Sequence, residues 1–171
     1  MADFVDHCER GDLSEVRGAV GRGVDVNSVN LSGWSGLMRA VSNSHNQVVA
    51  WLLQQPAIDV SRRDRDGSTA LYWAVGGNNP TLLSLLLAHP TADPTGRDNN
   101  GRTPLEDCRW ELVGRGRRSG DIYRSCPSLH AECLRILEED ERRRQGDRQG
   151  GGRAAGVGVA DRKLCLSLFI F

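Results

Sequence analysis

One short motif returns along this chain at a fixed interval. Gly33-Trp34-Ser35-Gly36-Leu37 is followed by Gly67-Ser68-Thr69-Ala70-Leu71 and then by Gly101-Arg102-Thr103-Pro104-Leu105, so that each glycine and each leucine stands 34 residues after its predecessor. A period between about 20 and 50 residues indicates a stack of like units, none of which can bury its apolar face alone. The period therefore predicts an extended binding surface rather than a catalytic pocket.

The same interval holds at positions outside the motif. Small residues recur at one position of the unit, apolar residues of a second helix recur at four positions, and acidic or amide residues recur at two more positions. These sets are Ala40, Ala74 and Cys108; Val48 and Leu82, Val49 and Leu83, Leu52 and Leu86, Leu53 and Leu87; Asn30, Asp64 and Asp98; and Asp25, Asp59 and Asp93.

Each unit can be interpreted as a pair of short helices. In the third unit, Gly67 ends a turn, Ser68-Thr69 caps a helix over about 70–77, and Pro80 begins a second helix after Asn78-Asn79. Residues 82–87 are apolar almost all round, which predicts a helix buried between its neighbours. Helices this short are marginal alone, so we expect stacking to stabilise them.

The pattern resembles the ankyrin repeat, whose units contain G-x-T-P-L-H-x-A-A, an apolar second helix and G-A-D-V-N. Thr103-Pro104-Leu105 and Val24-Asp25-Val26-Asn27 are the closest local matches. The resemblance implies an all-α fold, an α-solenoid of about four helix-turn-helix repeats with projecting β-turn loops. We place the repeats at about 2–32, 33–66, 67–100 and 101–141, which together form one domain over 1–141. The family is a binding scaffold with diverse partners, so the resemblance is less specific for function than for fold.

Two departures from the family pattern stand out. Ser44 and Asn78 occupy the place of a glycine before the second helix, and Ser tolerates a left-handed backbone less well than Asn, so we expect strain in unit two. Unit four carries an insertion near 113–127 that contains Arg115, Arg117, Arg118 and Arg124 against Asp121. This insertion is either a solvated flexible loop or a loop that binds a partner or a phosphate.

The last thirty residues have a different character. Residues 142–171 begin with an arginine- and glycine-rich stretch that predicts a disordered tail, with the preceding helix fraying within 138–145. The tail ends in the apolar segment 164–171, which is too short to span a membrane. Three interpretations remain open: it covers an apolar edge of the last repeat, it adds a strand to a partner domain, or it reflects an alternative splice end or a gene-model error.

Composition bears on the class of partner and on location. The 22 basic and 22 acidic residues balance, which gives no reason to expect nonspecific nucleic-acid binding. Residues 1–20 lack the apolar run of a signal peptide, and five cysteines without tight spacing do not predict a secreted disulfide framework. We expect a cytoplasmic location, with the nucleus as the alternative. Cys8 and Cys108 fall on buried helix phases and are interpreted as core thiols.

Catalytic and metal chemistry find little support in the sequence. His45 and His89 fall at predicted helix ends, where capping explains them. Cys126, His130 and Cys133 supply three ligand types, but structural zinc takes four, and no fourth is in sight. No nucleophile–His–acid set or phosphate-binding glycine loop has recognisable spacing. We therefore predict no enzyme activity, no metal and no cofactor.

The candidate binding residues lie where turns would project as fingers beside the first helices and form a concave face. Trp and Arg are the residues most often found as interface hot spots. Exposed turn positions include Val29 and Leu31. The residues that we predict to contact a partner are Trp34, Arg39, Arg62, Arg63, Arg65, Trp73, Arg97 and Asp107.

Two classes of function follow. The first is a non-catalytic protein-interaction module, an adaptor or an inhibitor, whose partner presents an acidic or phosphorylated segment; no small-molecule substrate and no membrane is implied. The second is a binder of nucleic acid or of a phosphate ligand through the turn arginines and the 113–127 insertion, which the neutral total charge disfavours. A third interpretation gives these residues no binding role: Trp73 packs on Tyr72 or on a neighbouring helix, and the arginines form a solvated fringe.

Overall fold

The computed structural model describes residues 3–112 and 127–149, and within these residues the regular structure is helical apart from one isolated β-bridge. Eight helices follow one another in this part of the chain. They are α1 (Phe4–Arg10), α2 (Leu13–Gly21), α3 (Gly36–Ser42), α4 (Asn46–Leu52), α5 (Ala70–Gly76), α6 (Pro80–Leu87), α7 (Pro104–Leu112) and α8 (Pro127–Gln149).

The helices form antiparallel pairs that stack in two layers. Consecutive helices pack as α1–α2, α3–α4, α5–α6 and α7–α8. The first helices α1, α3, α5 and α7 pack side by side in one layer, and the second helices α2, α4, α6 and α8 form the other. The predicted all-α solenoid of four helix-turn-helix units is confirmed.

A continuous apolar interior runs between the two layers. Leu37 and Leu71 of the first helices are 1% and 3% exposed, and Leu82, Leu83 and Leu86 of α6 are at most 1% exposed. Cys8, Cys108 and Cys133 are fully buried in this core as free thiols, which confirms the assignment of the first two. Burial raises the pKa of the Cys8 thiol to about 12 and that of Cys133 to about 11.

The helix starts follow the expected capping chemistry with one exception. Pro80 begins α6, as predicted, and Asn79 before it caps the helix through a hydrogen bond from the Leu82 N–H to its side chain. Thr103 and Glu106 form the predicted capping box at the start of α7. The prediction for α5 is wrong: Thr69 occupies the N-cap position, but its hydroxyl is buried and makes no hydrogen bond, so backbone geometry alone starts that helix.

Positive backbone φ angles appear where the sequence predicts them. Gly33, Gly67 and Gly101 end their turns at φ +80°, +76° and +75°. Ser44 and Asn78 also adopt the left-handed region, at φ 58° and 50°, and the strain expected at Ser44 before α4 stays a prediction.

The predicted start of the disordered tail is wrong. Helix α8 continues through residue 142 and ends at Gln149. Three ion pairs one turn apart, each with the acid on the N-terminal side, explain this extension, because that spacing and order stabilise a helix. They join Glu138 to Arg142, Glu139 to Arg143 and Asp140 to Arg144. The insertion from 113 to 126 and the tail from 150 lie outside the described residues.

Candidate partner-binding surface

Three projecting turns precede α3, α5 and α7, and we call them finger 1 (27–35), finger 2 (61–69) and finger 3 (95–103). In each finger one side chain holds the turn closed, and these three side chains stand 34 residues apart. Asn30, Asp64 and Asp98 each accept two backbone N–H groups, from the residues two and four positions later, at 2.9–3.0 Å. The periodic Asn30, Asp64 and Asp98 of the sequence are therefore the residues that shape the fingers.

Two predicted tryptophans meet beside the fingers. The rings of Trp34, at the end of finger 1, and Trp73, on α5, lie with centroids 3.8 Å apart and planes tilted by 38°. The indole N–H of Trp73 donates to Asp64 Oδ2 at 3.1 Å. Both tryptophans are half-buried, so one part of each ring packs on the core while another part stays accessible.

Arg39 of α3 completes this aromatic cluster. Its guanidinium carbon lies 4.2 Å from the centre of the Trp34 ring, and its Nη1 lies 3.6 Å from Glu9 Oε1 at the end of α1. Its Nε is buried and has no hydrogen-bond partner. We call Trp34, Arg39 and Trp73 the aromatic–arginine cluster.

Arg63 and Arg97 brace the fingers instead of facing solvent freely. The Arg63 Nε donates to the carbonyl of Gly67 at 3.0 Å, and its Nη2 donates to the carbonyl of Arg97 in the next finger. Arg97 Nη1 and Nη2 bind the two carboxylate oxygens of Glu106 at 2.7 and 3.3 Å. The hydrogen bonds from Thr103 and Arg97 lower the pKa of that carboxyl group. These contacts reduce what either arginine can offer a partner.

Arg62 and Arg65 of finger 2 are exposed, and within the described residues their guanidinium groups make no hydrogen bond or ion pair. Leu31, at the tip of finger 1, is 92% exposed, and Val29 beside it is 40% exposed. Fingers 1 and 2 thus present an apolar tip next to a basic one.

Asp107 lies at the other end of the same face. Its carboxylate is partly buried and lies 3.4 Å from Arg102 Nη1. Both partners of this ion pair belong to unit four. The structure therefore brings Trp34, Arg39 and Trp73 together, leaves Arg62 and Arg65 exposed on finger 2, and pairs Asp107 with Arg102.

Sequence reasoning missed three residues that organise this surface. Glu9 stands one helical turn beyond Val5, the position equivalent to Arg39 in the preceding unit, and that offset is the signal that could have found it. Asp64 carries the period but was given no role. Tyr72 stands at the family's histidine position, and its hydroxyl accepts from the Asp98 N–H at 3.0 Å.

The remaining predictions concern metal binding, the histidines at helix ends and membrane insertion. Among residues 3–112 and 127–149, no cluster of three or more His, Cys, Asp or Glu is placed to hold a metal ion. His45 lies at the start of α4, where its Nε2 bonds the Glu9 carbonyl at 2.8 Å, so it caps the neighbouring α1. No helix in the described part of the chain is both long and apolar enough to cross a bilayer.

Comparisons with known proteins agree with the stacked pairs. The family model for ankyrin repeats in three copies matches residues 5–98. The chain is also similar to the ankyrin repeat domain-containing protein 40 of Mus musculus, with 50% identity over 48 residues. That stretch covers 28% of this chain and 13% of the mouse protein, so the likeness spans a small part of that relative.

Proposed function

Because the chain belongs to the ankyrin repeat family, we propose that it is a non-catalytic protein-interaction module, an adaptor or an inhibitor, that binds its partner on the face formed by the fingers and the first helices. Ankyrin repeats are in general protein-interaction modules. The contact residues that we propose come from this chain's own sequence and structure. The partner is a protein segment with acidic or phosphorylated side chains. We propose a cytoplasmic location, with the nucleus as the alternative; imaging of a tagged chain tests it.

The observation that carries this proposal is the aromatic–arginine cluster. Trp34, Trp73 and Arg39 form one contiguous set of half-buried side chains on the first-helix layer. Tryptophan and arginine in such positions already have fixed rotamers, so a partner loses little additional side-chain entropy on contact. Leu31 adds an apolar contact whose side chain is almost entirely in solvent.

Charge supports the acidic character of the partner. Arg62 and Arg65 present unpaired guanidinium groups among the described residues, whereas Arg97 and Arg102 already bind Glu106 and Asp107. Finger 2 holds Arg62, Arg63 and Arg65 against Asp64 and Asp66 and so keeps one net positive charge, with the guanidinium groups of Arg62 and Arg65 exposed. Opposite charge on the partner would speed association and fix its position more than it would raise the final affinity.

A nucleic-acid or phosphate ligand has less support in the structure. Of the five turn and cluster arginines, Arg63 and Arg97 already donate to backbone carbonyls and to Glu106. Phosphate-driven binding needs several free cations, and it loses affinity steeply as salt rises. A salt titration with a generic oligonucleotide tests this alternative: a steep slope supports it, and no binding at low salt contradicts it.

The proposal is tested by affinity capture from cell extract with the whole chain and with exposed-residue variants. Leu31→Asp and the double variant Arg62→Glu/Arg65→Glu change exposed side chains that make no hydrogen bond or ion pair in the described structure. Arg22→Glu, an exposed residue at the end of α2, is the matched control. We expect the two finger variants to lose the same captured protein, which the control retains. Identical capture by all four proteins would contradict the proposed face.

A further inference from the structure

Arg39 is an arginine whose hydrogen-bonding capacity is almost unused. Its side chain is 27% exposed, its Nε is buried without a partner, and in the described structure its guanidinium donates no hydrogen bond. The contact with Glu9 at 3.6 Å is an ion pair at long range rather than a hydrogen bond. The buried Nε is out of reach of a partner, so an incoming acceptor would bind the Nη groups, whose present contact is the 3.6 Å approach of Nη1 to Glu9.

Trp34 fixes the orientation of that group. The guanidinium carbon stands 4.2 Å from the ring centre, which is cation–π contact distance, and the Trp34 ring also packs against Trp73, with the two ring centroids 3.8 Å apart. A guanidinium held against a ring keeps its N–H fork available at the edge. Carboxylates accept two parallel N–H bonds from such a fork.

Glu9 is the internal group that now neutralises Arg39. It lies at the exposed end of α1, and 44% of its side chain is in solvent, so it can turn away without uncovering apolar core. An exposed pair of this kind contributes little to stability. Displacing it therefore costs the fold little.

We propose that Arg39 is the residue that receives a carboxylate from the acidic segment of the partner, and that this carboxylate displaces Glu9. The inference rests on the proposed interaction function and assigns its central contact. Glu9 is then an internal competitor that weakens binding, and Trp34 and Trp73 are the platform that keeps the guanidinium in place. The neighbouring Arg62 and Arg65 attract further carboxylates of the same segment.

The test measures fluorescence anisotropy of a labelled decaglutamate peptide with the full chain at low ionic strength, where exposed charges are least screened. Glu9→Gln removes the competitor and should tighten peptide binding by about two- to fivefold. Arg39→Gln should weaken binding, and Glu9→Gln should have no effect in that background. Arg39→Lys keeps the charge but lacks the planar fork, so it should recover little of the lost affinity.

Glu15→Gln and Arg22→Gln on α2 carry the same charge changes away from Arg39 and serve as matched controls. Equal tightening by Glu9→Gln and Glu15→Gln would show a general charge effect and overturn the displacement. Binding of a phosphoserine peptide of the same length in place of decaglutamate would overturn the choice of carboxylate. Failure of the proposed function is distinct, because capture from extract would then be insensitive to the finger variants as well.

Discussion

The hydroxyl oxygen of Tyr72, on α5, accepts a hydrogen bond from the backbone N–H of Asp98 in finger 3 at 3.0 Å. The hydroxyl proton faces the carbonyl oxygens of Gly96 and Arg102. We expect Tyr72→Phe to lower the free energy of unfolding by about 1–2 kcal/mol, because buried backbone groups lose a partner. Urea denaturation measures this change. A loss below about 0.3 kcal/mol would show that water replaces the hydroxyl.

The same tyrosine predicts a loss of stability in alkali. Burial raises the pKa of Tyr72 to about 12 in the folded chain, whereas an unfolded tyrosine titrates near about 10. The folded state thus holds the phenolic proton more tightly, so the contribution is fully present below about pH 10 and declines between about pH 10 and 12. Unfolding of wild type and Tyr72→Phe across this range should converge as pH rises.

Core truncation should be far more costly than truncation at a finger tip. Leu71→Ala and Leu86→Ala remove side chains that are 3% and 1% exposed, and each should cost about 2–5 kcal/mol. Leu31→Ala, at a side chain that is 92% exposed, is the control and should change stability by less than about 0.5 kcal/mol. Similar effects at all three positions in chemical denaturation would contradict the stacked core.

Asp64 should be the most sensitive polar residue of finger 2. Its Oδ1 accepts the N–H groups of Asp66 and Ser68 at 2.9 Å, and its Oδ2 accepts the Trp73 indole N–H. Asp64→Ala leaves all three donors unpaired and should cost about 2–3 kcal/mol. Asp64→Asn keeps the Oδ1 contacts, as Asn30 does in finger 1, and should cost about 1 kcal/mol. Thermal unfolding followed by tryptophan fluorescence distinguishes the two variants.

The arginines of finger 2 should separate into a bracing residue and two binding residues. Arg63→Ala removes one of the hydrogen bonds that join fingers 2 and 3, while those of Asn99 to the same finger remain, and it should lower stability by about 1 kcal/mol. Arg62→Ala and Arg65→Ala should change it by less than about 0.5 kcal/mol. A loss of binding in Arg63→Ala can therefore be assigned to a lost partner contact only if the stability of that variant is measured as well. Equal stabilities for the three variants would remove the bracing role.

The sequence predicts the fold well because the period is a local, repeated signal. Leu71, Ala74 and the apolar face of α6 identify the helix pair, and Gly67 marks the turn that precedes it. The sequence does not predict the contact between Trp34 and Trp73, because this contact depends on how closely successive units pack. It does not depend on the residues next to either tryptophan in the chain. The sequence places Trp34 and Trp73 on one predicted binding face and offers Tyr72 or a neighbouring helix as the packing partner of Trp73, but neither interpretation brings the two indole rings into contact.

The roles of the charged residues were harder to predict for a related reason. Arg62, Arg63 and Arg65 look alike in sequence, yet only Arg63 has carbonyl acceptors within reach, on its own turn and on the next finger. The prediction for the end of α8 is wrong because the glycine and arginine content of the stretch from 142 is typical of disorder, whereas the spacing of its charges favours a helix. The acid-to-arginine pairs four residues apart were visible in the printed sequence and would have extended the helix.

Polar ties cross every boundary between the described units. His45 bonds the backbone of Glu9, Asn27 bonds that of Ala57 and Asp59, Asn79 bonds Ser44, and Tyr72 bonds Arg102. Opening any one unit would leave donors or acceptors unpaired on each unit stacked against it. We therefore expect adjacent units to unfold together rather than one at a time, so that a destabilising change in one unit also weakens the next.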